Sequence, residues 1–148
     1  MKMKTKDATK ELNPQEYNKH LKNVELNSIS LVEIKTKLDK SLFPVDSVPT
    51  VNVSDTYDMN LTANPVYNCA TLKINVSSNS DKNKDVFLKI EAKYHISFDV
   101  EGTVPEAFWA IYQKYTLPIQ LWPYFRELVQ NITTRMNIPS LTLPIRIR

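Results

Sequence analysis

From Val86 to Glu101 the chain alternates between apolar and polar side chains. Leu88, Ile90, Ala92, Tyr94, Ile96, Phe98 and Val100 fall on one side, and Lys89, Glu91, Lys93, His95, Ser97, Asp99 and Glu101 on the other. A period of two sends successive side chains to opposite faces, so the segment is predicted to be a strand with one face packed and one wet. Val66 to Ser77 repeats the pattern with Val66, Ala70, Leu72, Ile74 and Val76. The wholly polar stretch Ser77 to Asp85 between them reads as a solvent-exposed hairpin loop.

Two further strands are predicted upstream. Between Leu26 and Leu38, Ser28, Ser30, Val32, Ile34, Thr36 and Leu38 alternate with Ile29, Leu31, Glu33, Lys35 and Lys37, a strand whose first half is predicted to be covered on both sides. Val51 to Leu61 places Val51, Val53, Tyr57, Met59 and Leu61 on one face, interrupted by Asp55. The stretch from Ser41 to Pro49 carries two prolines, which cannot continue a ladder, and reads as a connecting loop. Four strands with short links argue for an antiparallel sheet.

Helices flank the strands. Asn13 is placed as a cap, Pro14 at the first helical position and Glu16 three residues after the cap, which together open a short N-terminal helix. Tyr17, Leu21 and Val24 line one side of it and need something to pack against. Pro105 is predicted to start a helix whose Phe108, Ile111, Tyr112 and Tyr115 share a face while Trp109 points elsewhere. Pro123 is predicted to start another, with Trp122, Phe125, Leu128, Val129, Ile132 and Met136 at helical spacing, ended by Asn137 and Pro139. The class is α+β: a four-stranded antiparallel sheet with a short N-terminal helix and C-terminal helices packed across one face.

Chain length suits a single domain over residues 13–148. Residues 1–12 read as a lysine-rich, frayed tail. Residues 1–23 hold six lysines against three acids, and the rest of the chain holds thirteen of each sign. A neutral body with a basic start is a poor nucleic-acid footprint. Phosphate-cradling loops need several glycines and this chain has one, which argues against nucleotide-driven chemistry. Cys69 stands alone, so neither an intrachain disulfide nor a thiolate metal site can be assembled, and its strand position predicts a buried or half-buried thiol. The start lacks an apolar signal core, and the longest apolar run, Ala107 to Tyr112, falls far short of the ~20 residues that span a bilayer. A soluble cytoplasmic chain with no membrane partner is expected.

No catalytic residue and no metal ligand set is predicted. The imidazoles are His20 and His95, and nothing in the sequence groups them with Cys69 or a particular serine. Asp55 with Asp58, and Asp99 with Glu101, cannot be singled out as acid/base couples without geometry. Arg126 and Glu127 read as a surface or interface ion pair. The aromatics are more suggestive: Phe43, Trp109, Tyr112, Tyr115, Trp122, Tyr124 and Phe125 crowd the loop and helix segments, more than one side of a sheet needs. Core accounts for most of them, and an exposed apolar surface for the remainder.

Glu101-Gly102, Leu121-Trp-Pro-Tyr-Phe-Arg-Glu127 and Pro139-Ser-Leu-Thr-Leu-Pro144, in this order after four strands, resemble the SecB family of export chaperones, and its SecB-like branch more than the enterobacterial type. The resemblance covers roughly Leu26 to the end, with its specific part between Glu101 and Pro144. It implies an ATP-independent holdase, without cofactor, assembled as a homotetramer (a dimer of dimers), that holds unfolded polypeptide clients in apolar grooves. Carried over by position, it implies a client groove at Leu42, Phe43, Val45, Val48, Val51, Val53 and Phe125. It further implies an oligomer interface at Trp122, Tyr124, Arg126, Glu127 and Asn131. Members that deliver clients to the SecA motor continue into another helix and an acidic tail, whereas this sequence stops at Ile145-Arg-Ile-Arg148, so delivery to SecA is not expected. The N-terminal helix is predicted to replace the missing part of the groove wall.

Three functions follow from these residues. The leading one is a general holdase. A dedicated chaperone of a single client, such as the antitoxin of a toxin-antitoxin system, is its near relative. The third is an oligomeric adaptor that uses the same apolar surface only to assemble. An enzyme finds no supporting motif.

Overall fold

The computed structural model describes residues 12–42, 48–78, 85–139, 141 and 143–144. Helix α1 (Pro14–Leu21) leads into strand β1 (Val24–Leu38), and a short 3-10 turn (Lys40–Leu42) precedes β2 (Thr50–Asn60). Strands β3 (Val66–Ser77) and β4 (Val86–Val100) follow, then helix α2 (Glu106–Ile111), a π-helical turn (Tyr112–Thr116) and helix α3 (Leu117–Arg135). The strands form one four-stranded sheet in the order β1-β4-β3-β2, every neighbouring pair antiparallel. The helices pack across one face, the α+β arrangement the alternating strands predict.

Helix α1 begins as its sequence requires. Asn13 Oδ1 accepts the Glu16 amide at 2.9 Å, and Pro14 occupies the first turn, where its missing N–H costs nothing. Where β4 ends, the Glu101 amide donates to the Asn23 carbonyl at 2.8 Å. The lone glycine follows at once: Gly102 has φ +71°, a left-handed conformation that L side chains adopt at a cost, and it turns the chain from the sheet toward α2.

The inner face of the sheet is built from the predicted alternation. On β3, Ala70, Leu72, Ile74 and Val76 stand opposite Tyr94, Ala92, Ile90 and Leu88 of β4, and all are buried. On β2, Val51, Val53, Asp55, Tyr57 and Met59 face the same way. Asp55 is accommodated there because its Oδ2 accepts the Tyr57 hydroxyl at 2.7 Å. Helix α3 lays Leu117, Leu121, Phe125 and Val129 against this face, four positions apart and each 0 % exposed. Burying each such side chain contributes about 1.5–3 kcal/mol, so this stripe anchors the helix.

Strand β1 departs from the predicted phase. Its register against β4 shifts between Leu26 and Ser28 and again between Leu31 and Glu33, leaving Asn27 and Val32 as extra residues. Each bulge moves the following side chains to the opposite face. The inner set is therefore Leu26, Ile29, Leu31, Ile34, Thr36 and Leu38, opposite Phe98, Ile96, Tyr94, Ala92, Ile90 and Leu88. Nor is the first half of β1 covered on both sides, since its residues alternate between half-buried and exposed.

The C-terminal helices also differ from expectation. Pro123 does not start a helix but lies inside α3, whose first turn holds Pro118 instead. Pro118 has no amide to return to the preceding turn, and its ring crowds the carbonyl there; the wider turn Tyr112–Thr116 relieves that crowding. Three hydrogen bonds tie this turn to its surroundings. Asn68 Nδ2 of β3 donates to Gln113 Oε1 at 3.0 Å, Tyr112 donates to Gln120 Oε1 at 2.6 Å, and the Tyr17 and Thr116 hydroxyls meet at 2.6 Å. Phe108, Trp109 and Ala110 are all buried, which explains an α2 that is apolar on more than one side.

Candidate binding surface

Helix α3 has two flanks beside its buried stripe, and they meet different fates. On one flank, Trp122 Nε1 donates to the Pro144 carbonyl at 2.7 Å and Arg126 Nε to the Leu143 carbonyl at 2.6 Å. On the same flank Thr133 Oγ1 accepts the Leu141 amide at 3.1 Å. The C-terminal segment thus runs back along the helix as a strap, with Leu143 2 % exposed beneath it. Trp122 and Arg126, expected at an oligomer interface, are committed within their own chain; Trp122 is only 5 % exposed. Arg126 is not among the ion pairs of the described residues, so the pair with Glu127 does not form.

The other flank is open. Tyr124, Glu127, Leu128 and Asn131 line a groove of about 240 Å³ whose far wall is Ile29 and Leu31 of β1 and whose floor includes Tyr94. Tyr124 is 50 % exposed and Leu31 and Ile34 are 43 % and 44 % exposed, although both strand residues point to the face that is elsewhere packed under helices. Burial, then the Glu127 charge, pushes the Tyr94 phenol up to about 12. Tyr124, Glu127 and Asn131, three of the five residues expected at the oligomer interface, are therefore brought together here. Nothing in the sequence marks Leu31 and Ile34 as belonging together, because strict alternation across the bulge at Val32 splits them between opposite faces.

A second apolar surface lies at the opposite edge of the sheet. Among the described residues strand β2 pairs with β3 and with no other strand, which makes it an edge strand of the sheet. Val48 is 90 % exposed just before it, Val53 is 42 % exposed on the inner face, and Leu42 and Val51 are half-buried against the core. Phe43 and Val45, also expected in a groove, lie outside the described residues. Phe125 is not a groove residue in this chain: at 0 % exposure it belongs to the stripe that pins α3 to the sheet.

The N-terminal helix does find a surface. Tyr17 stacks on Phe108 with ring centroids 4.9 Å apart, and His20 meets the same ring edge-on at 6.3 Å. Leu21 stays 36 % exposed and no residue of α1 is fully buried, so the helix rests on the body chiefly through the Tyr17 and His20 rings against Phe108.

On the outer face the fold groups residues that the sequence does not. Asp58, Cys69 and His95 are direct neighbours across β2, β3 and β4. Cys69 is exposed, against expectation, because it occupies a wet position of β3 between buried Asn68 and Ala70. Burial of its sulfur and the Asp58 charge both push the thiol up, the wrong direction for a nucleophile. His95 instead stacks on Tyr67 with ring centroids 4.8 Å apart. Among the described residues no cluster of His, Cys, Asp and Glu could hold a metal ion, and no helix is long and apolar enough to cross a membrane. What the arrangement offers is apolar area and edge strands, which suits binding.

Comparison with known proteins agrees on the fold. The chain is similar to the SecB-like chaperone Rv1957 of Mycobacterium tuberculosis, solved in complex with a ChAD peptide from the Rv1956 HigA1 antitoxin; identity is 18 %, coverage 89 % of this chain and 97 % of that one, and the TM-score 0.70. A protein of unknown function from Streptococcus agalactiae matches at 13 % identity, covering 82 % of this chain and 96 % of that one, with a TM-score of 0.40. None of the curated proteins matches. The family described as preprotein translocase subunit SecB matches residues 15–145, the whole span from α1 through the strap, and the chain belongs to the SecB family.

Proposed function

We propose that the protein is a chaperone that holds non-native polypeptide without nucleotide, by apolar burial combined with backbone hydrogen bonding along the β2 edge. The observation that carries this reading is the exposed apolar surface at Val48 and Val53 on and beside the edge strand β2, the combination that accepts an extended chain as an added strand. Leu42 and Val51 would support it from below, with Phe43 and Val45 as further contacts. The separate groove at Tyr124, Glu127 and Asn131 is assigned to contacts between subunits of a homotetramer, and SecB membership supports both assignments. No enzymatic step is proposed.

Light scattering of a chemically unfolded client diluted with and without the protein tests the proposal. Suppression of aggregation at near-stoichiometric amounts is the expected result. The double substitution Val51→Asp, Val53→Asp should abolish suppression while leaving the fold intact; unchanged suppression by that folded variant would remove the β2 edge from the mechanism.

A dedicated client is the second reading, favoured by the structural likeness to a SecB-like chaperone solved with an antitoxin peptide. It predicts tight binding of one partner encoded beside this chain and no suppression with generic clients.

A further inference from the structure

The outer face of the sheet carries a charge pattern that the holding of apolar chains does not use. At its end near the β3–β4 hairpin, two rows of side chains cross the strands: Lys35, Glu91 and Lys73 in one, Lys37, Lys89 and Asn75 in the other. They line a concavity of about 350 Å³, floored by the strand backbone at Thr36, Ile74 and Ile90. The lysines of the first row are ion-paired. Lys73 reaches Glu91 at 3.3 Å, and Lys35 and Lys93 reach Glu33 at 3.2 and 3.4 Å. These lysines hold the Glu33 carboxyl below its usual range.

Among the described residues the second row forms no ion pair. Lys37 stands directly opposite Lys89, and like charges in that position destabilise a sheet. The nearest acid along β1, Asp39, accepts the Ser41 hydroxyl at 2.6 Å and amide at 3.0 Å on a single oxygen. Those bonds, with the Lys37 charge as a lesser cause, hold its carboxyl below the usual range, so Asp39 offsets Lys37 in part and leaves Lys89 untouched. At the other end of the same face the sign reverses. Glu25 stands directly opposite Asp99, and Asp58 lies on β2 at that end. Lys89 and Asp99 are ten residues apart on β4, which is about 33 Å of strand.

We propose that the Lys37–Lys89 row is a docking site for a short acidic segment of a partner protein. Lys37 and Lys89 stand on neighbouring strands about 4.8 Å apart with the neutral Asn75 on the third, a polar row of roughly 10 Å that fits an acidic run of about three residues. A long polyanion such as RNA fits poorly. Continued along the face, it would meet Glu25, Asp99 and Asp58 and be repelled. The opposed sign at that end selects a segment whose negative charge is confined to one stretch. The site lies on the side of the sheet away from α3, so it is compatible with simultaneous holding of a client at the β2 edge.

The test is fluorescence anisotropy of the full chain with a fluorescein-labelled pentaglutamate peptide, a pentaglutamine control and a single-stranded oligouridylate. Pentaglutamate should bind at low salt, weaken as salt rises, and exceed both other probes. The Lys37→Gln, Lys89→Gln variant should lose at least about fivefold in affinity while its melting temperature holds or rises, because the substitution relieves a like-charge pair. Its suppression of client aggregation should match the unmodified chain, which separates this site from the proposed holding function. Binding of pentaglutamate no better than pentaglutamine, unchanged affinity in the double variant, or tighter binding of the oligouridylate would each overturn the proposal.

Discussion

The Tyr17 ring lies stacked on Phe108, 4.9 Å between centroids, and its hydroxyl reaches Thr116 at 2.6 Å, so a single side chain joins α1 to both α2 and the π-helical turn. Since α1 has no fully buried residue, little beyond this ring and His20 holds it. Tyr17→Ala should cost about 2–3 kcal/mol in chemical denaturation, the sum of an aromatic pair and its buried area. Tyr17→Phe should cost only about 1 kcal/mol, for the lost hydrogen bond. Hydrogen exchange should show the Ala variant's α1 amides opening while β3 and β4 stay protected. Equal loss in both variants would mean that the hydroxyl, and not the ring, secures the helix.

The C-terminal strap gives a second prediction. Trp122→Phe keeps a ring in place but removes the donor to Pro144, and Arg126→Met keeps a stem but removes the donor to Leu143. Each should cost about 1 kcal/mol. Limited proteolysis should cut both variants after Ile138 faster than the unmodified chain, and equal cutting rates would show that Leu143 alone retains the strap.

Neighbouring aromatics on α3 should respond oppositely. Phe125 is fully buried and Tyr124 half exposed. Phe125→Ala should lose about 3–5 kcal/mol, the range for emptying a large core site. Tyr124→Ala should change subunit stability by less than about 0.5 kcal/mol. Sedimentation should then show the Tyr124 variant folded but impaired in assembly. A fully assembled Tyr124 variant would remove the groove from the subunit contact.

High pH should unfold the protein in a defined window. Burial pushes both Tyr94 and Tyr112 up to about 12, against about 10 for an exposed phenol. Below pH 10 these rings are protonated whether or not the chain is folded, and their contribution to stability is complete. Between 10 and 12 the unfolded chain ionises them and the folded chain does not, so stability falls as pH rises. Tyr94 and Tyr112 should titrate late in ultraviolet absorbance, together with loss of near-ultraviolet circular dichroism, and burial pushes Tyr17 up as well. Titration of Tyr94 and Tyr112 near pH 10 in the folded chain would contradict their burial.

Much of the fold is legible residue by residue. Asn13, Pro14 and Glu16 announce α1, and the alternation through β3 and β4 states which side chains form the core. The misreadings have physical causes. Bulges at Asn27 and Val32 consume one residue each, and a pattern read at strict period two cannot register them, so it separates Leu31 and Ile34 onto opposite faces where the structure puts both on the inner one. Pro123 carries a helix-start signal, but a helix already anchored by Leu117, Leu121 and Phe125 tolerates a missing amide on its exposed side.

The candidate surfaces were legible only in part. Val48, Val51 and Val53 are singled out only through the resemblance to the SecB family, carried over by position; the structure puts Val48 just before the edge strand β2 and Val51 and Val53 on it. Trp122 and Arg126 were not recognisable as clamps for the strap, because the carbonyls they bind lie at Pro144 and Leu143, far along the chain. The chain by itself determined its local elements, since capping, alternation and helical spacing act between residues a few positions apart. Only the tertiary structure decided which apolar residues remain uncovered and which lysines face each other, because both depend on register between strands brought together from opposite ends of the chain.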